Sequence, residues 1–400
     1  MFYEQNALLK VHNRNKKKNS KKIYENKRTY RIIKESNPQK YSSKKWILIT
    51  TTLIIFLFLF IFIIFKKFKT HKNVQTDQNK KNIINKTNQI PIASSINNNY
   101  VYPIIVAMTS ILYNSSPTSF FTFYLLLAPD VQEENLKKIA GLKEKYSNCK
   151  FVFIHVENKF TRFFTGYYKS PTIYYRLELS NLITDVNKII YLDVDTITHK
   201  DLTQFYNLDM GKYYYLGFPG HDLVTFEING TRNFINSGCM LVNLEKLREC
   251  NAPKLFFDFY EKFGTKKYDE YVINSVFYNK ISFLPLIYGI PDFGFTNPST
   301  STPEVFLKKF KNYINYTVED MEYASKNRVI THGCYEIVKW WEKKYDNLTS
   351  IGKQWLFYAS KSNVFDEICQ KYKQFEQQCQ QLKNENKTSL IESSNIKANN

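Results

Sequence analysis

Charge is absent from one stretch of this 400-residue chain: Trp46 to Phe65 holds no Asp, Glu, Lys or Arg over 20 residues. That is long enough to cross a bilayer as a helix, and each of its Leu, Ile and Phe residues favours insertion by roughly 0.3–0.6 kcal/mol. No small residues close the run. It exits into Lys66-Lys67-Phe68-Lys69, which excludes a cleaved signal peptide. Acid is scarce before and around it. Through Lys72 there are 18 Lys/Arg against 3 Glu, so only +5 of the net +20 falls on the other 328 residues. This basic arm has few aromatics and no folded recognition motif, which argues against nucleic acid as a partner; it reads as a solvated tail or a contact for anionic lipid. None of the six cysteines sits in a Cys-x-x-Cys pair, so spacing alone assigns no disulfide. There is no internal repeat.

These boundaries divide the chain into a basic tail over 1–45, a transmembrane helix over 46–65 and a Lys/Asn/Gln/Thr-rich stem over 66–89. A main domain over 90–358 and a polar C-terminal tail over 359–400, partly helical or disordered, complete it. Lys and Arg are nearly balanced close to the span, seven before it and six after. The longer basic arm upstream sets the expected orientation: N-terminus cytoplasmic, C-terminal domain translocated, a single-pass type II protein. All six cysteines and six Asn-x-Ser/Thr acceptors (Asn85, Asn114, Asn229, Asn315, Asn347, Asn386) lie on the translocated side, as a lumenal domain permits.

Within the main domain, apolar segments alternate in type. Pro103 suits a helix start, and Ile104, Ile105, Met108, Ile111 and Leu112 follow at helical spacing. Phe120–Leu127, Phe151–Val156 and Lys188–Asp193 read as strands; Glu133–Tyr146 and Thr172–Ile183 read as helices. This alternation predicts an α/β domain with a mainly parallel sheet. Asp366–Lys383 reads as an exposed helix. Asp193 and Asp195 stand at the end of the apolar run Ile189-Ile190-Tyr191-Leu192. Carboxylates at i and i+2 face the same way on extended chain, and at a strand's carboxyl end they make a site for a hard divalent cation.

Other segments line up with the acid pair: Tyr174-Tyr175-Arg176-Leu177 upstream, then Asn236-Ser237-Gly238, Asp269-Glu270-Tyr271 and His332-Gly333, with Lys339-Trp340-Trp341 closing the series. In order and spacing, Ile90 to Trp341 resembles the retaining glycosyltransferases of family 8, which have the GT-A (Rossmann-like) fold. The resemblance implies transfer of a hexose-type sugar from a UDP-sugar to a glycan or protein acceptor, assisted by Mn²⁺ or another divalent cation, and a Golgi or other secretory-pathway membrane. By position it implies that Asp193, Asp195 and His332 ligate the metal, a donor set Mn²⁺ accepts. Asn97, Asn99 and Tyr100 fall where the family holds uracil. Arg176, Asp193, Asp222, Asn236, Ser237 and Lys339 fall toward the donor. The resemblance implies Asp269 and Glu270 as the catalytic carboxylates, Glu270 standing where the family commonly has Gln. Lys339 comes one residue later than the family's Lys, and Trp340 replaces its Pro. Trp340 and Trp341 read as packing residues. A second reading keeps the fold without turnover: an inert pseudo-transferase that binds nucleotide or glycan.

Overall fold

The computed structural model describes residues 87–157, 162, 170–220, 227, 233–264, 268–291, 316–333 and 339–386. The chain divides into two compact units, 1–80 and 81–400, and every described residue lies in the second. The expected membrane span at 46–65 and most of the stem lie outside the described residues. Among those described, no helix is long and apolar enough to cross a membrane.

The second unit is an α/β fold built on a seven-stranded sheet of order β3-β2-β1-β4-β7-β6-β8. Its strands are β1 (Asn88–Ile96), β2 (Ser119–Leu127), β3 (Cys149–His155), β4 (Lys188–Leu192), β6 (Tyr215–Pro219), β7 (Ile235–Asn243) and β8 (Ile281–Phe283). β1 pairs parallel with β2 and β4, β2 with β3, and β6 with β8; β7 runs antiparallel to β4 and β6. Side chains alternate across the sheet, as the period of two requires. Ile190 and Leu192 of β4 join one core with Ile92, Phe121 and Phe123. Ile189 and Tyr191 join a second core with Tyr124, Met240 and Val242. The helix Val101–Tyr113 and the C-terminal helices contribute to the first core, and Ala252–Phe263 and Asp269–Val276 to the second.

The chain winds outward from β1 through β2 to β3, then returns to place β4 on β1's other side. Neighbouring strand ends therefore lead their loops apart, and a crevice opens beyond the carboxyl ends of β1 and β4. A smaller sheet, β5 (Thr196–Thr198), β10 (Ile330–His332) and β9 (Tyr288–Pro291), has β10 in its centre.

The expected helix Glu133–Tyr146 is two helices, Glu133–Ala140 and Leu142–Lys145. The break has a local cause. The Asn363 side-chain amide donates to the Lys138 carbonyl at 2.8 Å, and a Cβ on Gly141 would meet that amide at 2.9 Å. The expected helix Thr172–Ile183 is a 3₁₀ turn, Pro171–Glu178, followed by one short α-turn, Leu179–Leu182. β-branched and aromatic residues there favour α-helix weakly, and the Arg176 Nε bonds back to the Ile173 carbonyl at 3.1 Å.

The C-terminal region corrects the expectation most. The chain after 358 continues the core as Phe365–Lys371 and a helical run over 376–386. Ile368, Phe375 and Cys379 are buried, so this is not an exposed helix on a polar tail. Trp355 packs against Trp341, Tyr372 and Phe375, with ring centroids 5.8, 5.9 and 6.2 Å apart. Phe365, Ile368, Tyr372, Phe375 and Cys379 make a narrow apolar stripe within a Lys/Gln/Glu-rich stretch, so composition disguised the packing face. Cys369 and Cys379 form a disulfide across this region. In the chain-entropy account, closing a loop of that length restricts the unfolded chain by about 3 kcal/mol. Replacing both cysteines by Ser is expected to cost most of that stability, read as a lower denaturation midpoint, and to remove the sensitivity of the wild-type midpoint to reductant. A midpoint indifferent to both changes would show that the bridge restrains nothing.

Candidate active site

β1 ends in a turn capped by Asn97 and running through Asn98–Tyr100, and β4 ends in the turn that carries Asp193 and Asp195; Tyr100 and Asp195 lie near each other. The two strands share a backbone ladder only at Ile92–Ile190 and Ala93–Tyr191. Beyond it, side chains take over. Ser94 Oγ donates to the Leu192 carbonyl at 2.7 Å, and Tyr191 Oη lies 3.1 Å from Ser95 Oγ. The polar residues of β1 thus tie the acid-bearing strand in place.

His332 reaches the acids through the small sheet. β5 follows Asp195 directly and pairs antiparallel with β10, placing His332 opposite Thr196. The Gly333 amide also donates to the Asp195 carbonyl at 2.8 Å. His332 Nε2 lies 3.2 Å from Asp195 Oδ1 and 3.8 Å from Asp193 Oδ2. Among the described residues, Asp193, Asp195 and His332 form one group able to hold a metal ion, with one ligand atom from each lying within 4.8 Å of the others. Gly238 forms the wall of this cradle. A Cβ there would stand 2.2 Å from His332 Cε1 and 2.4 Å from Asp193 Oδ2. Two carboxylates, an imidazole and a glycine that leaves room between them fit a hard or borderline divalent cation.

Arg176 is buried beneath the site. Its Nη2 donates to Asp193 Oδ1 at 2.8 Å, and its Nη1 to the Ser237 carbonyl and hydroxyl at 2.5 and 2.9 Å. Its Nε lies 3.2 Å from Asp269 Oδ2, and its guanidinium sits 4.6 Å over the Tyr191 ring. Burial opposes its charge, but Asp193, Tyr191 and Asp269 outweigh that and hold it firmly protonated. Asp269 is raised above the ordinary carboxylate value by burial, which Arg176 only partly offsets. Its carboxylate is also bonded to Ser237 Oγ at 3.0 Å, so it supports β7 from behind.

Glu270 takes the more open position. Its Oε2 accepts from Asn236 Nδ2 at 2.9 Å and from the Ser237 amide at 3.0 Å. Asn236, Ser237 and Gly238 therefore form a short ledge running from Glu270 to the metal cradle. Lys339 Nζ donates to Asp195 Oδ2 at 2.6 Å and to the Gly333 carbonyl at 3.1 Å, despite its shifted spacing. Burial pushes the Asp195 carboxyl upward, but Lys339 and His332 outweigh it and hold it well below the usual range.

Tyr100 is half-buried and near Lys339 and Asp195; burial raises its hydroxyl above the ordinary value. Its ring meets Trp341 edge-on at 6.4 Å. Asn97 Oδ1 accepts from the Asn99 amide at 3.0 Å, making a turn that leaves Asn99 exposed. Trp340 and Trp341 are buried packing residues. Asp222 lies outside the described residues. The sequence reading missed the work of Gly238, Tyr191 and Ser94. A polar strand end (Ser94, Ser95) beside a strand carrying an Asp pair was the available signal.

Residues 91–310 match the family model of glycosyl transferase family 8. A candidate glycosyltransferase of Haemophilus influenzae is 27% identical over 269 residues, covering 62% of this chain and 72% of the relative. The apo structure of the WbbM bifunctional glycosyltransferase aligns at TM-score 0.58 and 19% identity, over 70% of this chain and 51% of that one. This chain thus spans about half of that protein. Galactosyltransferase LgtC, in complex with donor and acceptor sugar analogues, aligns at TM-score 0.54 and 20% identity, over 68% of this chain and 96% of that one. At these identities the structural likeness speaks for the fold.

Gly238→Ala is expected to weaken Mn²⁺ binding at least about tenfold, because its methyl would intrude between two ligands. Calorimetric titration of the full chain measures this beside its thermal midpoint. Unchanged Mn²⁺ affinity would mean that the cation binds elsewhere.

Proposed function

The chain belongs to glycosyl transferase family 8, and from that membership we propose that it moves a hexose-type sugar from a UDP-sugar donor to a glycan or protein acceptor, with retention at the anomeric carbon. The observation that carries this reading is the Asp193/Asp195/His332 cluster with its glycine cradle, at the crevice where an α/β sheet takes its ligands. Mn²⁺ held there would supply Lewis-acid stabilisation to the leaving diphosphate.

The chain's own residues then have distinct tasks. Asn97, Asn99 and Tyr100 would receive the base, with Asn keeping an acceptor where the family has Asp. Arg176, bonded to Asp193, Ser237 and Asp269, would orient a metal ligand and bridge towards the donor. Asn236 would meet the sugar, with Asp222 a further donor contact. Retention requires either a covalent glycosyl-enzyme or same-face attack guided by the leaving group. Glu270, fixed by Asn236 and Ser237, would be the carboxylate that takes either role. Asp269 braces Ser237 beside it. Lys339 would meet the diphosphate as a point charge.

One observation favours the inert alternative: Lys339 occupies an oxygen of Asp195. Incubating the full chain with Mn²⁺ and a panel of UDP-sugars separates the readings by donor hydrolysis. Asp195→Ala should abolish that turnover by on the order of 10³-fold while the chain stays folded. Near-normal turnover in the variant would refute the site. Absence of hydrolysis in wild type, with UDP still bound, would favour the pseudo-transferase.

We further infer a type II topology, with this domain in the lumen of the Golgi or another secretory compartment. The uncharged run at 46–65, the basic arm and the disulfide support it. Asn347 is exposed and suited to a glycan. Asn114 is not, since its amide donates to Ser110, Thr198 and Tyr358 at 2.9, 2.9 and 2.8 Å. Protease added to sealed microsomes should remove only the basic arm, and endoglycosidase should shift wild type more than Asn347→Gln. Digestion of the large domain in sealed vesicles would overturn the topology.

A further inference from the structure

β7 carries two neighbours that stop at different places. Its ladder with β4 ends at Leu192–Cys239, where β4 turns away to present Asp193 and Asp195. Ile235 lies beyond that end; on the β6 side the Gly220 amide donates to the Phe234 carbonyl at 2.8 Å, so the N–H and C=O of Ile235, the next residue, point away from β6 toward the edge that β4 has left. A buried strand edge at such a point needs other partners for its N–H and C=O.

Asn274 supplies them. Its Oδ1 accepts from the Ile235 amide at 2.8 Å, and its Nδ2 donates back to the Ile235 carbonyl at 2.8 Å. The same Nδ2 donates to the Glu270 carbonyl at 2.7 Å, one turn earlier on its own helix. The side chain is fully buried. One amide thus stands in for a strand, pairing both backbone groups of Ile235, and spends its remaining hydrogen on the residue that carries the Glu270 carboxylate. Ile235 directly precedes Asn236, and Asn236 bonds Glu270.

We propose that Asn274 is the positioning residue of the sugar side of the site, locking the Asn236–Ser237 ledge to Glu270 without touching substrate. This rests on the donor reading given above. Asp195, His332 and the residues after β1 are anchored through β4, β5 and β10, while Asp193 shares Arg176 with Ser237. The effect of Asn274 should therefore fall far more on sugar than on cation and nucleotide.

The test uses the full chain, Mn²⁺, UDP, and UDP-glucose and UDP-galactose. Calorimetry gives the affinity of each sugar nucleotide relative to UDP, and kinetics give kcat and KM where turnover occurs. Asn274→Asp keeps the acceptor and shape but loses both donors. It should leave Mn²⁺ and UDP affinity within about threefold and lower kcat or the sugar-dependent affinity at least about tenfold. Asn274→Ser, which retains one donor, should fall between, and serves if the Asp variant does not fold. Combined with Asn236→Ala, the losses should be far from additive, since the two act through one contact. Equal loss of Mn²⁺, UDP and sugar nucleotide, or additive losses, would reduce Asn274 to a general fold residue and overturn the proposal. If wild type binds no nucleotide at all, the donor reading fails. If it binds UDP but treats every UDP-sugar as UDP, nucleotide binding stands and the sugar-side role is refuted.

Discussion

A single buried guanidinium organises this site. Arg176 comes from a 3₁₀ turn, yet it binds the acid at the end of β4, the backbone of β7 and the first residue of the helix Asp269–Val276. An ion taken out of water is costly unless its partners are well placed. Here two carboxylates, two carbonyls, a hydroxyl and an aromatic face surround it. Three segments with no sequence proximity must therefore arrive in register or leave a charge unpaired. That demand makes the geometry of Asp193, Ser237 and Asp269 a single cooperative unit.

The cradle of Asp193, Asp195 and His332 is built by a different device. β4 has to leave the large sheet for Asp193 and Asp195 to face the crevice. The small sheet starts at once, and its central strand brings His332 alongside. Departure of β4 also deprives β7 of a neighbour, which the Asn274 amide replaces. Opening a functional gap in a sheet thus creates unpaired backbone, and a side chain is recruited to close it. Gly238 belongs to the same logic: any side chain there would fill the space the gap provides.

Much of this was legible beforehand, for physical reasons that differ by element. The three expected strands, β2, β3 and β4, came out within a residue or two because buried strands are apolar on both faces. Asp193 and Asp195 were legible because two acids closing an apolar run stand out by residue type, although they sit on the turn after β4 and not on extended chain as expected. The 3₁₀ turn at Pro171–Glu178 was not, since helical periodicity does not distinguish it over eight residues. The helix break at Gly141 depends on Asn363, far away in the chain, and a helical pattern cannot report a distant competitor for its carbonyl. The C-terminal packing was obscured because five apolar residues sit among many polar ones.

The order of motifs along the chain determined the family, the α/β class and the short list of acids, because local spacing and residue chemistry carry that information. Only the tertiary structure decided what each acid touches. Asp269 and Glu270 are neighbours in sequence, but one faces a buried arginine and the other the ledge of Asn236 and Ser237. It also decided that Arg176 binds Asp193, Ser237 and Asp269, and that Lys339 reaches Asp195 from its altered spacing. Each depends on where a side chain points once distant segments meet, and long-range packing sets that direction.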